Sequence, residues 1–348
     1  MRRGPGLCSL GPECRTLFDV SSLDGQDSPP SPLVSVIIPA YRTAQYIGET
    51  LDSVLAQTFT DYEIVVVNDG SPDTAELERV LAPYRARIRY MAQENRGLAG
   101  ARNAGIRIAL GKLFAFLDAD DLWEPDFLAS QVDFLRKHPE VDLVYADASI
   151  FGNVPEAGRR AMEFSPSAGE VSFERLVTRA CTVLVLTVLV RREAVIRAGL
   201  FDESLRRVED ADLWLRMVKA GSRLAYQKIV LGRYRRRHGS LSTDGVRMLE
   251  TYMHVLGKLR EMPNLTPAEK QLVTCQYQRE LADLRLLRGK QALAEGRIGE
   301  ALDNLREANA HLRRPKVAAV ILALRLFPGL ARAVFRLRRR HTPIDPSA

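Results

Sequence analysis

From Val34 onward, short unbroken apolar runs alternate with stretches whose apolar residues recur at helical spacing. The run VSVIIPAY is β-branched and bounded by Pro39; in YIGETLDSVLAQT, which follows, Ile47, Leu51, Val54 and Leu55 fall on one helical face. EIVVVNDGSPD repeats the scheme, an apolar run of the kind found in strands covered on both faces, ending in turn residues. A short helix near Ala75 to Ala82, a strand near Ile88 to Met91, a helix across GLAGARNAGIRIAL and the strand KLFAFLDADD come next. A further helix is predicted from about Pro125, with the proline in its first turn. VDLVYADASIFG then reads as a strand, and TVLVLTVLVRREAV as one strand or two leading into a helix. The apolar run from Cys181 to Val190 is too short to cross a bilayer.

This alternation predicts an α/β fold with a mostly parallel sheet flanked by helices. Ligands of such sheets sit beyond the C-terminal ends of the strands. Tyr41, Asn68 to Ser71 and Asp118 to Asp121 each follow an apolar strand, so they are expected to converge on one crevice. After about Gly245 the pattern is helical throughout. RELADLRLLRGKQALAEGRIGEALDNLREANAHLRRP gives two amphipathic segments separated by EGR, either a plain helical appendage or one tetratricopeptide-like hairpin. VAAVILALRLFPGLARAVFRLRRR interleaves aliphatic residues, Phe and Arg after a Pro-Gly break. It fits a helix lying on an anionic membrane surface, or one packed on the body with a solvated Arg face. The expected layout is therefore a flexible leader over 1–32, an α/β domain over 33–245, a helical extension over 246–315 and a basic amphipathic tail over 316–348.

Charge sharpens this layout. Of 348 residues, 46% are apolar and 27% charged, as in ordinary globular proteins, with net charge +7. Nine of the 50 Lys and Arg lie between Ala308 and Ile344, where there is no acid, and the rest nearly balance the 43 Asp and Glu. A nucleic-acid partner is disfavoured, because tracking phosphates needs a basic face on the body. Four scattered cysteines without metal-ligand spacing, and a basic N-terminus with no apolar run of signal length, point to a reduced, cytoplasmic setting.

Three carboxylates within four positions at the end of a buried strand, in LFAFLDADDLW, require a positive partner. Asp118 and Asp120 could meet Mg²⁺ or Mn²⁺, which favour hard oxygen ligands. Alternatively the stretch is a turn with Asp121 as a helix cap and Glu124 three residues on. Asp69, in VVVNDGSPD, is either a turn residue or presented to the edge of a base. In ENRGLAGARNAGI the glycines match neither a dinucleotide fingerprint nor a P-loop, while Arg102 could offer its fork to phosphate or to the carboxylates. Glu209, Asp210 and Asp212 precede an apolar-periodic helix, so each is either an N-cap or a carboxylate able to take a proton from a hydroxyl. Trp214 reads as core.

Taken in this order, VSVIIPAY, IVVVNDGSPD, NRGLAGARNAG, FLDADD, GLFDE, EDADLWLRM and YRRRHGSLS resemble the family 2 inverting glycosyltransferases, from Val34 to about Gly239. The resemblance implies a GT-A fold and a metal-dependent transfer of sugar from a nucleotide-sugar, UDP-linked by preference, with Mn²⁺ or Mg²⁺ as cofactor. It places Pro39, Tyr41 and Asp69 in the nucleotide pocket, Arg102 near base and phosphates, Asp118 near the ribose and Asp120 on the metal. Asp210 is then the general base, Glu209 its orienting neighbour, and His238 lies near the diphosphate or metal. Arg233 to Arg237 either bind phosphate or form a solvated basic loop. A glycan, lipid-linked or protein acceptor is implied, held by roughly Asp147 to Arg207, in polysaccharide, lipid-linked glycan or glycoprotein assembly at the inner face of the cell membrane. A nucleotidyltransferase would carry a Gly-rich phosphate loop where this chain has PAYRTAQY, and a non-catalytic scaffold would have lost Asp120 or Asp210.

Overall fold

The computed structural model describes residues 31–237 and 244–326. In chain order it contains β1 (Val34–Ala40), α1 (Ile47–Leu55), β2 (Tyr62–Asp69), α2 (Thr74–Leu81), β3 (Ile88–Gln93), α3 (Gly97–Ile108), β4 (Leu113–Phe116), β5 (Leu122–Trp123), α4 (Phe127–Lys137) and β6 (Leu143–Phe151). There follow α5 (Phe173–Val177), β7 (Leu189–Arg191), α6 (Arg192–Arg197), α7 (Glu209–Lys219), β8 (Leu224–Arg235), α8 (Gly245–Arg260), α9 (Pro267–Glu295), α10 (Ile298–Leu312) and α11 (Pro315–Leu326).

Eight strands form one sheet in the order β3-β2-β1-β4-β7-β6-β8-β5. β3, β2, β1 and β4 run parallel, and β7 is antiparallel to both neighbours. The chain winds outward from β1 to β3 and then returns to the other side of β1, so the switch point lies between β1 and β4. The crevice beyond their C-terminal ends is where α/β sheets bind ligands. β1 is buried along its whole length. Its Val34, Val36 and Ile38 join α1, α2 and α4 in one apolar layer, while Ile37 faces the layer of α3 and α7, as alternation along a strand requires.

TVLVLTVLVRREAV gives one short strand, β7, after a turn of 3-10 helix at Val185–Thr187. The helix expected from Pro125 begins two residues later, at Phe127 after Asp126, so the proline precedes its first turn. β8 is a long strand unforeseen from sequence, and Arg233 to Arg235 belong to it rather than to a solvated loop. α8 and the start of α9 pack Tyr252, Val255, Leu256, Leu259 and Val273 into the same core as Trp214 and Met217 of α7. The second half of α9 pairs with α10 around Ala292, Ala301, Leu305 and Ala308, with Gly296 at φ 85° ending α9. That conformation suits glycine, and it turns EGR into the hairpin corner.

α3 lies against β1 at Gly105, where a Cβ would fall 2.5 Å from Ile37 Cγ2, a stiff branched side chain. This close approach brings Arg102, one turn earlier, to full burial. Gly105→Val is expected to lower the unfolding free energy by about 3 kcal/mol through overpacking. Gly257→Ala in α8, where an added Cβ meets nothing within 4 Å, should raise it by about 0.5–1 kcal/mol. Urea unfolding of the two variants measures both, and their opposite signs test whether the α3 contact sets the difference.

Candidate active site

The site is built around Arg102, whose side chain is 1% exposed. Its Nη2 donates to Asp118 Oδ1 at 2.7 Å and its Nη1 to Glu209 Oε1 at 2.5 Å, and the guanidinium lies 5.4 Å over the Phe201 ring. One cation thus joins α3, the turn after β4 and the first residue of α7. Burial alone would lower its pKa, but Asp118, Glu209 and Asp210 together raise it, so it stays charged. Of the two choices open to Arg102, phosphate or carboxylates, its fork takes the carboxylates.

α7 opens after Val208, which adopts φ 61° and ψ 16°. A β-branched residue in the left-handed region is strained by about 1–3 kcal/mol, and here the strained residue aims the acidic pair. Burial pushes Glu209 up to about 7, with Arg102 opposing and Asp210 adding to the rise. Burial also raises Asp210, again against Arg102. Asp210 is only part-buried, and its Oδ1 accepts the Ala211 N–H at 2.8 Å. Asp212 belongs to the framework: it accepts from Arg216 Nε at 2.8 Å and from Lys258 Nζ of α8 at 3.0 Å.

The acidic turn faces the end of β8. Asp120 Oδ2 meets Arg237 Nη2 at 3.2 Å, and its carbonyl accepts from Arg235 Nε at 2.7 Å. Burial and Asp118 push Asp120 upward, with Arg237 and Arg235 opposing. Asp121 is no helix cap. It is buried, lies directly before β5, and accepts the Arg235 N–H at 2.7 Å; burial, then Asp120 and Asp118, drive its pKa well up. Sequence reasoning named Arg233 to Arg237 only as a run, for phosphate or for a solvated loop, and did not pair Arg235 or Arg237 with the acidic turn. The period-two spacing of Arg233, Arg235 and Arg237 was the available signal for a strand presenting cations to one side.

Asp69 closes β2 next to Ala40, and its carboxylate accepts from Gln93 Nε2 at 2.7 Å, Arg96 N at 2.9 Å and Gly97 N at 2.8 Å. It therefore fastens the start of α3. Pro39 is buried in β1, while Tyr41 at the strand's end is 43% exposed beside Arg42, whose guanidinium is 5.4 Å from the ring. His238 lies outside the described residues. Asp118, Arg102, Glu209 and Asp210 are thus drawn into one cluster, Asp120 sits on its β8 side, and Tyr41 and Asp69 stand at the ends of the adjacent parallel strands.

Among the described residues no three His, Cys, Asp or Glu side chains group as a metal cage. The donor set still suits Mn²⁺ or Mg²⁺, which bind through one or two carboxylates together with substrate phosphates, and it does not suit structural zinc.

Residues 35–197 match the family described as Glycosyl transferase family 2. An uncharacterized glycosyltransferase of Rickettsia prowazekii is 34% identical over 229 residues, 64% of this chain and 70% of the relative. An Escherichia coli UDP-Glc:alpha-D-GlcNAc-diphosphoundecaprenol beta-1,3-glucosyltransferase is 29% identical over 66% of this chain and 88% of its own length. Among solved structures, residues 1–349 of Staphylococcus aureus TarS with UDP-GlcNAc superpose with TM-score 0.60 at 19% identity over 88% of this chain and 91% of that TarS segment. A Pyrobaculum calidifontis mannosyltransferase in complex with GDP-Man and Mn²⁺ gives TM-score 0.56 at 21% identity over 93% of this chain and 91% of its own. These structural likenesses show the fold. The chain belongs to glycosyltransferase family 2, and its α/β body has the GT-A fold.

Between about pH 4.5 and 7 the folded protein holds a proton on Glu209 that the unfolded chain has released. Its stabilising contribution is therefore complete below pH 4.5 and is lost as pH rises through 7. Glu209→Gln removes this dependence. The difference in unfolding free energy between wild type and variant is expected to change by roughly 3 kcal/mol across the window, measured by urea unfolding at a series of pH values.

Proposed function

We propose that this glycosyltransferase moves a sugar from a nucleotide-sugar, UDP-linked, to an acceptor hydroxyl with inversion at the anomeric carbon, with Mn²⁺ or Mg²⁺ as cofactor. What carries the reading is the single buried guanidinium that binds both Asp118 and Glu209, residues far apart in sequence. Nucleotide-side and acceptor-side carboxylates thereby share one crevice. In this reading Tyr41 and Pro39 flank the base. Asp69 turns toward the base the acceptor capacity that its three protein donors leave. Asp118 faces the ribose. Asp120 would hold the divalent ion, which offsets the charge growing on the departing nucleoside diphosphate.

Asp210 takes the proton from the acceptor hydroxyl as its oxygen attacks opposite the diphosphate. Burial raises its pKa, which makes it a stronger base than an ordinary carboxylate, while the Arg102 guanidinium opposes that rise. Glu209, pinned by Arg102, orients it. Asp210→Asn should lower transfer by about 10²–10⁴-fold while leaving donor binding within twofold, read by product formation and calorimetry. Unchanged turnover would assign the base to another residue. A panel of nucleotide sugars screened for Mn²⁺-dependent binding and slow hydrolysis tests the donor; if none binds, the reading fails.

The undecaprenol-linked acceptor of the Escherichia coli relative makes a lipid-linked glycan acceptor at the inner face of the cell membrane the favoured choice here. α11 supports it. Leu324 packs on α9 and α10, whereas Val320, Leu322 and Leu326 are exposed on a helix that carries Lys316 and Arg325 and follows Arg313 and Arg314. No described helix is long and apolar enough to cross a membrane, so α11 would lie along the surface. Removing the residues after Pro315 is expected to abolish co-sedimentation with anionic liposomes; retained binding would rule α11 out as the contact.

A further inference from the structure

The ladder between β1 and β2 ends at Ala40 and Asn68. Beyond it the turn over residues 41–44 runs beside the turn over residues 69–73, and its backbone N–H groups need partners other than a strand. Ser71 Oγ accepts the Arg42 N–H at 2.7 Å, and Asp73 Oδ2 accepts the Ala44 N–H at 3.1 Å. The Ser71 hydroxyl itself donates to Asp73 Oδ1, so the two side chains work as one acceptor. Asp73 stands immediately before α2, where an aspartate ordinarily caps its own helix, yet its side chain makes no capping bond there. It serves the neighbouring turn instead.

Ser71 and Asp73 are themselves held in place. Asn68 Oδ1 accepts the Ser71 N–H at 2.9 Å, while Asn68 Nδ2 donates to Thr74 Oγ1 at 2.9 Å and to the Tyr90 hydroxyl at 3.0 Å. Gly70, at φ 62°, passes so close to Asn95 that a Cβ would fall 2.7 Å from its backbone nitrogen. The turn gripped by this rigid one is strained: Arg42 adopts φ 56°, in the left-handed region, directly after Tyr41. Tyr41 is 43% exposed, so its ring takes its place from the backbone that carries it more than from packing.

We propose that Ser71 and Asp73 are positioning residues for the nucleotide base, holding Arg42 in its left-handed conformation so that Tyr41 stands over the crevice beside Asp69. The inference rests on the reading of Tyr41 and Asp69 as walls of the nucleotide pocket. Asp69 is fastened to the start of α3, and Tyr41 is fastened through Ser71 and Asp73, so the single stretch 69–73 sets the spacing of both walls. Neither Ser71 nor Asp73 touches the nucleotide in this arrangement. Their contribution is preorganisation: without them the turn relaxes toward negative φ at Arg42, and the base has to reorder it on binding.

The test measures UDP affinity of the full chain by calorimetry with Mn²⁺ present. Asp73→Ala is expected to weaken UDP binding roughly tenfold, the effect of losing one charge-assisted hydrogen bond that holds the turn. Asp73→Asn should stay within about threefold of wild type, since its carbonyl oxygen can take the Ala44 N–H and its amide can donate to Ser71 Oγ. Tyr41→Ala removes the wall itself, and adding Asp73→Ala to it should weaken UDP no further, because a positioning residue acts only through the group it positions. Ser71→Ala, which leaves the Arg42 N–H without its acceptor, carries the same comparison if Asp73→Ala does not fold. If Asp73→Ala binds UDP as the wild type does, or if the two effects add in the double variant, the positioning role is wrong while the pocket stands. If the wild type does not bind UDP, or Tyr41→Ala binds it as tightly as the wild type, the nucleotide-pocket reading falls and this inference with it.

Discussion

The site depends on one buried cation. Arg102 holds Asp118 and Glu209 on the two ends of its fork, with Asp210 close enough to raise its pKa further. A guanidinium this deeply buried is tolerable only because carboxylates surround it, and the carboxylates are tolerable only because it is there. Losing one partner of such a pair costs about 3–5 kcal/mol, so the positions of Asp118 and Glu209 are energetically tied. The strain at Val208 is affordable within this arrangement, since α7 is anchored immediately afterward by Glu209.

Behind the site, a second set of charges ties the helical extension to the catalytic body. Lys258 of α8 reaches both Asp202, in the loop before α7, and the buried Asp212 of α7. Phe201, beside that loop residue, packs edge-on against Phe116 and Trp214 and forms the floor under Arg102. α8 thus supports the helix that bears the acidic pair. The second half of α9, with α10 and α11, keeps its own small core and leaves an apolar helical face uncovered.

On the opposite side, the three acids after β4 are not treated alike. Asp118 belongs to Arg102, Asp121 is spent on the β8 backbone, and Asp120 faces a cation that is only partly buried. Like charges this close cannot all ionise freely, which is why burial and mutual repulsion push both Asp120 and Asp121 upward.

The alternating sheet and helix order, the crevice beyond β1 and β4, and the family itself were legible in the chain, because strands buried on both faces must be apolar runs and because turn chemistry ends each one. Asp118, Asp120, Asp210 and Arg102 stood out by residue type and position. Their partners did not. Periodicity reports which face a residue occupies, but not which distant side chain it meets. That Arg102 takes Asp118 and Glu209, that Asp69 fastens α3, that Asp121 serves β8 instead of capping a helix, and that Lys258 supports α7 were decided by the tertiary structure. Each is a contact between segments far apart in sequence, and burial at the fold's interior selected the partner by requiring every charge there to be answered.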